Sequence, residues 1–565
     1  MRAPPSSPTA PPPAPEPSRG WRAHLPAFAA WSAGMAMAFH ATLLSGWTLV
    51  QGDLLDTRFN LYILEHGYRW LLRAPGHTSF WNAPFYYPAP NVTAYSDTLL
   101  TVAPVYWLLR AAGLAPDTAL QCWLMAMATL NFAAAYALLR RIARAGSAAA
   151  AAGAFLFAFA NARTAQMAHP QMQPQLYTVL ALYALGRALQ APGGSVAARE
   201  ARRWLPVFAA AVAAQFWAGF YYGFFLVLAL GIVALWSLAL PAPRAALGAL
   251  VRRQRGALAV SAALGVLLVA PLAAHYLAVA RVLGVRPWAA LSEFMPTPWS
   301  WLSLGRDNWV YGAIMRAPAF AARMPREQEL GLGLVTTALA GWGLVARRRH
   351  PVAALSLATA LTIVVIATRV PGDHTLWTYV FRWVPGADAL RAVSRIGLML
   401  LLPAAIGVAM FIDHARERRW STVATVAALA VMLEQGQEPQ VYAKYAARAA
   451  EARVAALVSP SCEAFVYTPR HARRMTWQYQ VDGMWAGLER GVPTVNGYSG
   501  NAPPGWTLRQ IRLDEPGAEA RVDSALAAWR ARWGSRLPHL CRLTPDLSRV
   551  REPLAHPYGG DAITE

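Results

Sequence analysis

Gly52-Asp53-Leu54-Leu55-Asp56-Thr57-Arg58-Phe59-Asn60 follows directly on the first long apolar segment, residues 25–50. About 20 apolar residues suffice to cross a bilayer, so both carboxylates leave the membrane together and sit at the water interface. A helix begun or capped by Asp56 and running through Asn60, Tyr62 and Glu65 turns both acids toward one small volume. Such residues suit a helix N-cap beside a solvated acid. They suit equally a catalytic or cation-binding acid held against the membrane face.

The composition around this stretch is that of a membrane chain. Of 565 residues, 56% are hydrophobic and only 14% are charged, against about 25% charged in soluble domains. The net charge of +22 comes from 51 basic and 29 acidic residues, almost all of the basic ones arginine. In a polytopic protein such an excess reports cytoplasmic loops facing anionic lipid, and nucleic acid is not an expected partner. Residues 1–24, rich in Pro, Ala and Ser, read as a disordered cytoplasmic tail. No small-residue cleavage site follows, so the first span is read as retained.

Arg2, Arg19 and Arg22 precede span 1, which places Asp53 and Asp56 on the outer face. The loop that follows, 51–117, is aromatic and holds Phe80-Trp81-Asn82-Ala83-Pro84-Phe85-Tyr86-Tyr87-Pro88. Rings among prolines make an interfacial belt or a platform for sugar rings. Residues 98–114 are the deciding segment for orientation. If they cross, five later arginine clusters face outward, among them Arg140-Arg141-Arg144 and Arg416-Arg418-Arg419. If they lie along the interface, all five face the cytoplasm, which the positive-inside rule favours. Further spans then read as 119–139, 148–160, 176–189, 204–218, 222–240, 257–280, 330–345, 353–367, 396–412 and 422–433. The expected fold is an all-α polytopic membrane protein of about 11 transmembrane helices, over 25–434, with a small α/β extracytoplasmic domain at 435–552 and a flexible tail at 553–565.

Outer segments are expected at 161–175, 281–329 and 369–395. The first holds His169 in a run of glutamines, and the last ends in Arg391-Ala392-Val393-Ser394-Arg395. Arginines here serve either as interfacial anchors or as phosphate ligands. In the C-terminal part, 463–467 reads as a strand, and Tyr498 and Trp506 as rings on a turn-rich loop. Cys462 and Cys541 fall in the same oxidising compartment, which leaves a disulfide open, whereas Cys122 lies within a span and reads as packing.

No zinc spacing, Walker motif or serine elbow falls on a suitable element, which argues against an ATP-driven pump. Ionisable residues within spans are scarce, chiefly His40 and His275, whereas coupled transporters place acids at mid-bilayer. An outer acid, ring platforms and outer arginines fit transfer of a sugar from a lipid phosphate. The acceptor hydroxyl needs a base, and the departing phosphate needs a counter-charge.

With these residues in place, the layout resembles the GT-C superfamily of membrane glycosyltransferases, which use polyprenyl-phosphate sugars. Gly52-Asp53 matches the acidic motif that opens the family's large outer loop, and Pro104-Val105-Tyr106-Trp107 resembles its juxtamembrane segment. The match covers roughly the first 190 residues, and beyond them Pro385–Arg395 and Asn496–Trp506 resemble stretches of uncharacterised bacterial members. The resemblance implies Asp53 as general base with Asp56 second, and a polyprenyl-phosphate-linked sugar as donor on the outer face of the bacterial inner membrane. The acceptor would be a glycan, lipid or protein. His169, Arg391, Arg395, Trp81 and Tyr86 are the candidate substrate-binding residues. Where many relatives carry a second outer-loop acid, this chain offers His169 and glutamines. No metal ligands are therefore assigned, although a divalent cation stays open. A lipid-linked-glycan transporter or flippase, or a non-catalytic assembly subunit, is the alternative.

Overall fold

The computed structural model describes residues 20–190, 195–323, 327–534, 537 and 539–550. The expected tails at 1–19 and 553–565 lie outside the described residues, and Trp21–His24, read as tail, form a short 3-10 turn leading into the first helix. Among the described residues five helical stretches are long and apolar enough to cross a membrane: Trp21–Leu44, Pro116–Arg141, Phe220–Ala239, Arg255–Leu283 and Val393–Glu417. Leu334–Ala346, Pro351–Ala367 and Ser421–Glu434 are apolar but shorter.

The elements that build the site are labelled in chain order. They are α1 (Leu25–Leu44), β1 (Leu49–Gln51), α2 (Asp56–Leu71), α3 (Ala103–Ala111), α4 (Pro116–Arg141), α5 (Ser147–Phe159), α6 (Phe220–Ala239) and α7 (Arg255–Leu283). There follow α8 (Leu334–Ala346), α9 (Leu401–Glu417), β2 (Val441–Ala443), α10 (Lys444–Leu457), β3 (Ala464–Tyr467), α11 (Thr476–Arg490), α12 (Ala518–Trp533) and β4 (Leu540–Leu543).

Small residues set the helix packing. The largely alanine, glycine and phenylalanine helix α5 is enclosed by α1, α4 and α9. Helices α8 and α9 cross so closely that a Cβ on Gly343 would stand 2.0 Å from the Gly407 carbonyl oxygen. Without side chains at the crossing, dispersion contact between backbones replaces the hydrophobic drive that lipid does not supply. Helix α3 has nine residues, about 14 Å at 1.5 Å per residue. That is under half the hydrocarbon thickness, in keeping with a segment that does not cross.

The structure corrects the reading of 25–50 as one span. Helix α1 stops at Leu44, and Leu49–Gln51 is instead a strand, paired antiparallel with β2 so that Val50 faces Tyr442. The Gly52 amide then donates to the Gln440 carbonyl at 2.8 Å. Gly52 turns the chain at φ +117°, where a Cβ would collide with Thr57 Oγ1 at 1.9 Å, so only glycine fits.

The described residues of 435–550 pack on the loop around α2, and the same apolar cluster runs from Phe59, Tyr62 and Phe85 to Val454, Phe465 and Tyr479. The expected strand at 463–467 forms as β3, parallel to β4. Cys462 and Cys541, just before and within these strands, are joined by a disulfide. Helix α2 is buried from Thr57 through Gly67, so each of its polar groups needs a partner within the protein. Arg58 donates to Asp482 of α11 (2.7 Å) and Glu451 of α10 (2.9 Å). Glu65 accepts from Tyr106 (2.8 Å) and Arg110 (2.8 Å), and His66 Nδ1 meets His77 Nδ1 at 2.7 Å. The Arg58 contacts fix the first turn of α2, which Asp56 begins.

Candidate functional site

The first turn of α2 is held from outside the helix. Asp53 Oδ1 accepts the amides of Leu55 (3.1 Å) and Thr57 (2.9 Å), and the Asp53 amide donates back to Thr57 Oγ1 (2.9 Å). One Asp53 oxygen is thereby spent on the turn. Burial, and then the negative charge of Asp56, raise the Asp53 carboxyl to about 6, against the opposing Thr57 amide and His169.

Asp56 is directed differently. Its Oδ1 accepts the Tyr498 hydroxyl at 3.0 Å, and its Oδ2 lies 3.1 Å from His169 Nε2. Burial works to raise its pKa, but His169, Arg395 and Tyr498 together carry it below the ordinary carboxylate range. Asp56 is therefore an ionised carboxylate in a largely dry place.

His169 comes from a segment expected to be an outer loop. Within the protein, residues 161–175 are buried almost throughout. Its polar groups bond inward: Arg163 donates to the carbonyls of Phe157 (3.0 Å) and Gln173 (3.2 Å), and Gln173 Nε2 donates to the Gln166 carbonyl (3.0 Å). Thr57 Oγ1 reaches the Ala168 carbonyl (3.1 Å) and ties this segment to α2. Gln173 thus cross-links the segment that carries His169.

Asp56 and His169 open into a cleft of about 320 Å³, lined also by Arg286, Arg391, Arg395 and Asp97. One wall is apolar and comes from two membrane-length helices: Phe220 and Tyr221 of α6, and Tyr276, Val279, Ala280 and Leu283 of α7. Arg395 lies over the Tyr221 ring at 4.8 Å, with Glu327 at 3.6 Å. Three buried polar atoms here lack a hydrogen-bond partner among the described residues: His169 Nδ1, Gln171 Oε1 and Arg395 Nε. Buried groups of this kind take protein, water or ligand partners in native proteins.

The structure thus brings Asp56, His169, Arg391 and Arg395 to one cleft, with Asp53 behind Asp56. It does not bring Trp81 or Tyr86. Tyr86 has no exposed surface and packs between Phe85 and Trp506, and Trp81 stacks on His275 of α7 with ring centroids 3.9 Å apart. As sugar platforms both are corrected: their rings are taken up by protein contacts away from the cleft. Trp506, read as a loop ring, is likewise buried and donates to the Val495 carbonyl.

Sequence reasoning missed Asp97, Tyr221, Arg286 and Glu327, and it did not connect Tyr498 with Asp56. Asp97 accepts the Phe220 amide (2.6 Å) at the start of α6, and burial raises its pKa. Tyr221 accepts the amides of Arg391 (3.0 Å) and Ala392 (3.2 Å), which seats both arginines. The signal for Asp97 was present, since acids are rare in this chain.

The donor set does not suit a divalent cation. Both Asp56 oxygens face other side chains, one Asp53 oxygen is spent on backbone amides, and Glu327 faces His169 and Arg395. Among the described residues no group of three or more His, Cys, Asp or Glu side chains is placed to hold a metal ion.

The acid pair supports one stability expectation. A folded carboxyl near 6 keeps its proton between pH 3.8 and about 6, where the unfolded chain has lost it, so its contribution to stability falls as pH rises through that window. Asp53→Asn keeps the acceptor for both amides and removes the charge. It should stabilise the protein at pH 8 by about 1–2 kcal/mol, below the ~3 kcal/mol of two full pH units because the residue is partly solvated. At pH 4 it should change little. Thermal unfolding of the purified variant at both pH values checks this, and a lower midpoint at pH 8 refutes it.

No protein-family model matches the chain, and no curated protein does. Among solved structures, the Archaeoglobus fulgidus oligosaccharyltransferase in complex with zinc and sulfate aligns with TM-score 0.49 and 12% identity, over 83% of this chain and 62% of that one. Arabinofuranosyltransferase AftD from Mycobacteria aligns with TM-score 0.49 and 15% identity, over 83% of this chain and 31% of that one. The chain therefore spans less than two thirds of the length of either protein.

Proposed function

We propose that this chain is a membrane glycosyltransferase that moves a sugar from a polyprenyl-phosphate donor to an acceptor on the outer face of a bacterial inner membrane. The observation that carries the reading is the cleft, where an ionised carboxylate, a histidine and arginines meet unpartnered buried polar atoms beside a wall of membrane-length helices. The acceptor hydroxyl attacks the anomeric carbon, its proton passes to Asp56, and the carbon–oxygen bond to phosphate breaks as the phosphate leaves with the electron pair. Attack opposite the leaving group inverts the anomeric centre. Arg395 and Arg391 meet the charge that grows on the phosphate, and the polyprenyl chain lies along α6 and α7.

The Cys462–Cys541 disulfide supports an oxidising compartment for the C-terminal segment. The pairing of β2 with β1 supports the same side of the membrane for Asp53 and Asp56. The full arrangement proposed has about eleven crossings, with the N-terminus inside.

The test is mass spectrometry of lipid-linked sugars and envelope glycans in a deletion strain, with and without the wild-type chain restored. A glycan that lacks one sugar in the deletion and regains it with the wild type is the expected result. Unchanged glycans alongside displaced lipid-linked precursors would instead favour a flippase.

A further inference from the structure

Asp97 and Gln171 line the cleft, yet neither takes part in the phosphate contacts or the proton transfer proposed above. Both are more than nine-tenths buried. The neighbours of Asp97 are tied down: the Ser96 carbonyl accepts the Tyr276 hydroxyl of α7, and Thr98 Oγ1 donates to the Trp217 carbonyl at 2.7 Å. Asp97 Oδ1 takes the Phe220 amide, whereas Oδ2 has no hydrogen bond or ion pair among the described residues. Gln171 follows His169 by two residues, on a turn that Tyr222 of α6 holds through the Met172 carbonyl at 2.7 Å. Its Oε1 is enclosed and has no partner among the described residues. The two residues converge on Gly219, just ahead of α6. A Cβ there would stand 3.3 Å from the Gln171 carbonyl oxygen and 3.7 Å from Asp97 Oδ1.

We propose that Asp97 and Gln171 form the subsite for the sugar ring of the donor, and that they select a neutral sugar with free hydroxyls. This rests on the lipid-phosphate reading above. Carboxylate and amide oxygens accept hydrogen bonds, and sugar hydroxyls donate them. A sugar without those hydroxyls leaves buried acceptors unpaired, which a site of this kind penalises heavily. A sugar bearing a carboxylate meets Asp97 as a like charge. One bearing an ammonium meets Arg286, Arg391 and Arg395 of the same cleft. The neutral hydroxyl sugar is the class that neither set of charges repels.

The test uses the purified full chain in nanodiscs, titrated calorimetrically with farnesyl phosphate diesters of glucose, mannose, arabinofuranose and glucuronate. Farnesyl methyl phosphate, which keeps the single negative charge and has no sugar, is the reference. The tightest neutral sugar diester should bind at least about tenfold tighter than the methyl and glucuronate diesters, the effect of one hydrogen bond to a charged group. Asp97→Asn keeps the acceptor for the Phe220 amide. It should bring that sugar diester within about threefold of the methyl diester, whose own affinity stays unchanged. Gln171→Met, which removes the carboxamide at similar size, should weaken the sugar diester by about fivefold, one neutral hydrogen bond, and leave the methyl diester unaltered.

Three results overturn the subsite alone: equal binding of the methyl and all sugar diesters to wild type, glucuronate binding as tightly as the best neutral sugar, or an unaltered sugar preference in either folded variant. Parallel loss of the methyl diester in Asp97→Asn also overturns it, because the residue then belongs to the scaffold. If no farnesyl diester binds folded wild type, the lipid-phosphate reading fails and the subsite falls with it.

Discussion

Replacing Asp56 by asparagine is expected to lower sugar transfer about 10³-fold, the middle of the range for a positioned general base. Replacing Asp53 by asparagine should lower it less than about tenfold. Asparagine at 56 has the same shape and can still accept the Tyr498 hydroxyl, now 3.0 Å from Oδ1, so the cleft should stay assembled. What it cannot do is take the acceptor proton. Asp53 stands one layer back, with Oδ1 bound to the Leu55 and Thr57 amides, and asparagine preserves that acceptor. Single-turnover rates of purified proteins on a polyprenyl-phosphate sugar separate the two. A large loss at Asp53 with activity retained at Asp56 would exchange their roles. The pH profile adds an independent check: Asp56 lies below the ordinary carboxylate range and Asp53 near 6. The rate should therefore persist as pH falls through 6 and collapse only once Asp56 is protonated.

Much of the site was legible because charge is scarce in this chain. Asp56, His169, Arg391 and Arg395 stood out against apolar sequence, and all four line one cleft. Their division of labour was not legible. Nothing in Gly52-Asp53-Leu54-Leu55-Asp56 says which acid is spent on its own turn, because that depends on the bend at Gly52 and on β1 pairing with a strand far along the chain. Aromatic residues were least legible. Tyr86 and Tyr498 both sit among turn residues, yet one ring is enclosed by Phe85 and Trp506 while the other reaches Asp56. The glutamines of 161–175 read as a solvated loop because side-chain amides are polar. In the protein the segment is buried, and Gln173 Nε2 donates to its own carbonyls at Arg163 and Gln166.

Asp482→Ala is expected to be the most damaging change away from the cleft, costing about 3–5 kcal/mol, the range for breaking a buried ion pair from one side. Asp482 has no exposed surface and holds two guanidiniums, Arg58 at 2.7 Å and Arg474 at 2.6 Å. Burial alone would raise its pKa, but Arg474 and Arg58 carry it below the ordinary range. Glu451, the other acid on Arg58, is raised to about 7 chiefly by burial, against the contact with Arg58, and stays beside Arg58 when Asp482 is removed. Alanine removes a carboxylate that both buried guanidiniums share. Adding Arg58→Met removes one of them and fills the space with an apolar chain, so the double variant should be more stable than Asp482→Ala alone by about 1–3 kcal/mol. Thermal unfolding of the single and double variants measures both numbers. If the second substitution deepens the loss instead, the cost lies in packing rather than in charge. Arg58 follows Asp56 by two residues on the first turn of α2, so this network also anchors the proposed base. Asp482→Ala should consequently lower transfer at temperatures well below its unfolding, through the misplacement of Asp56, and Arg58→Met should not restore it.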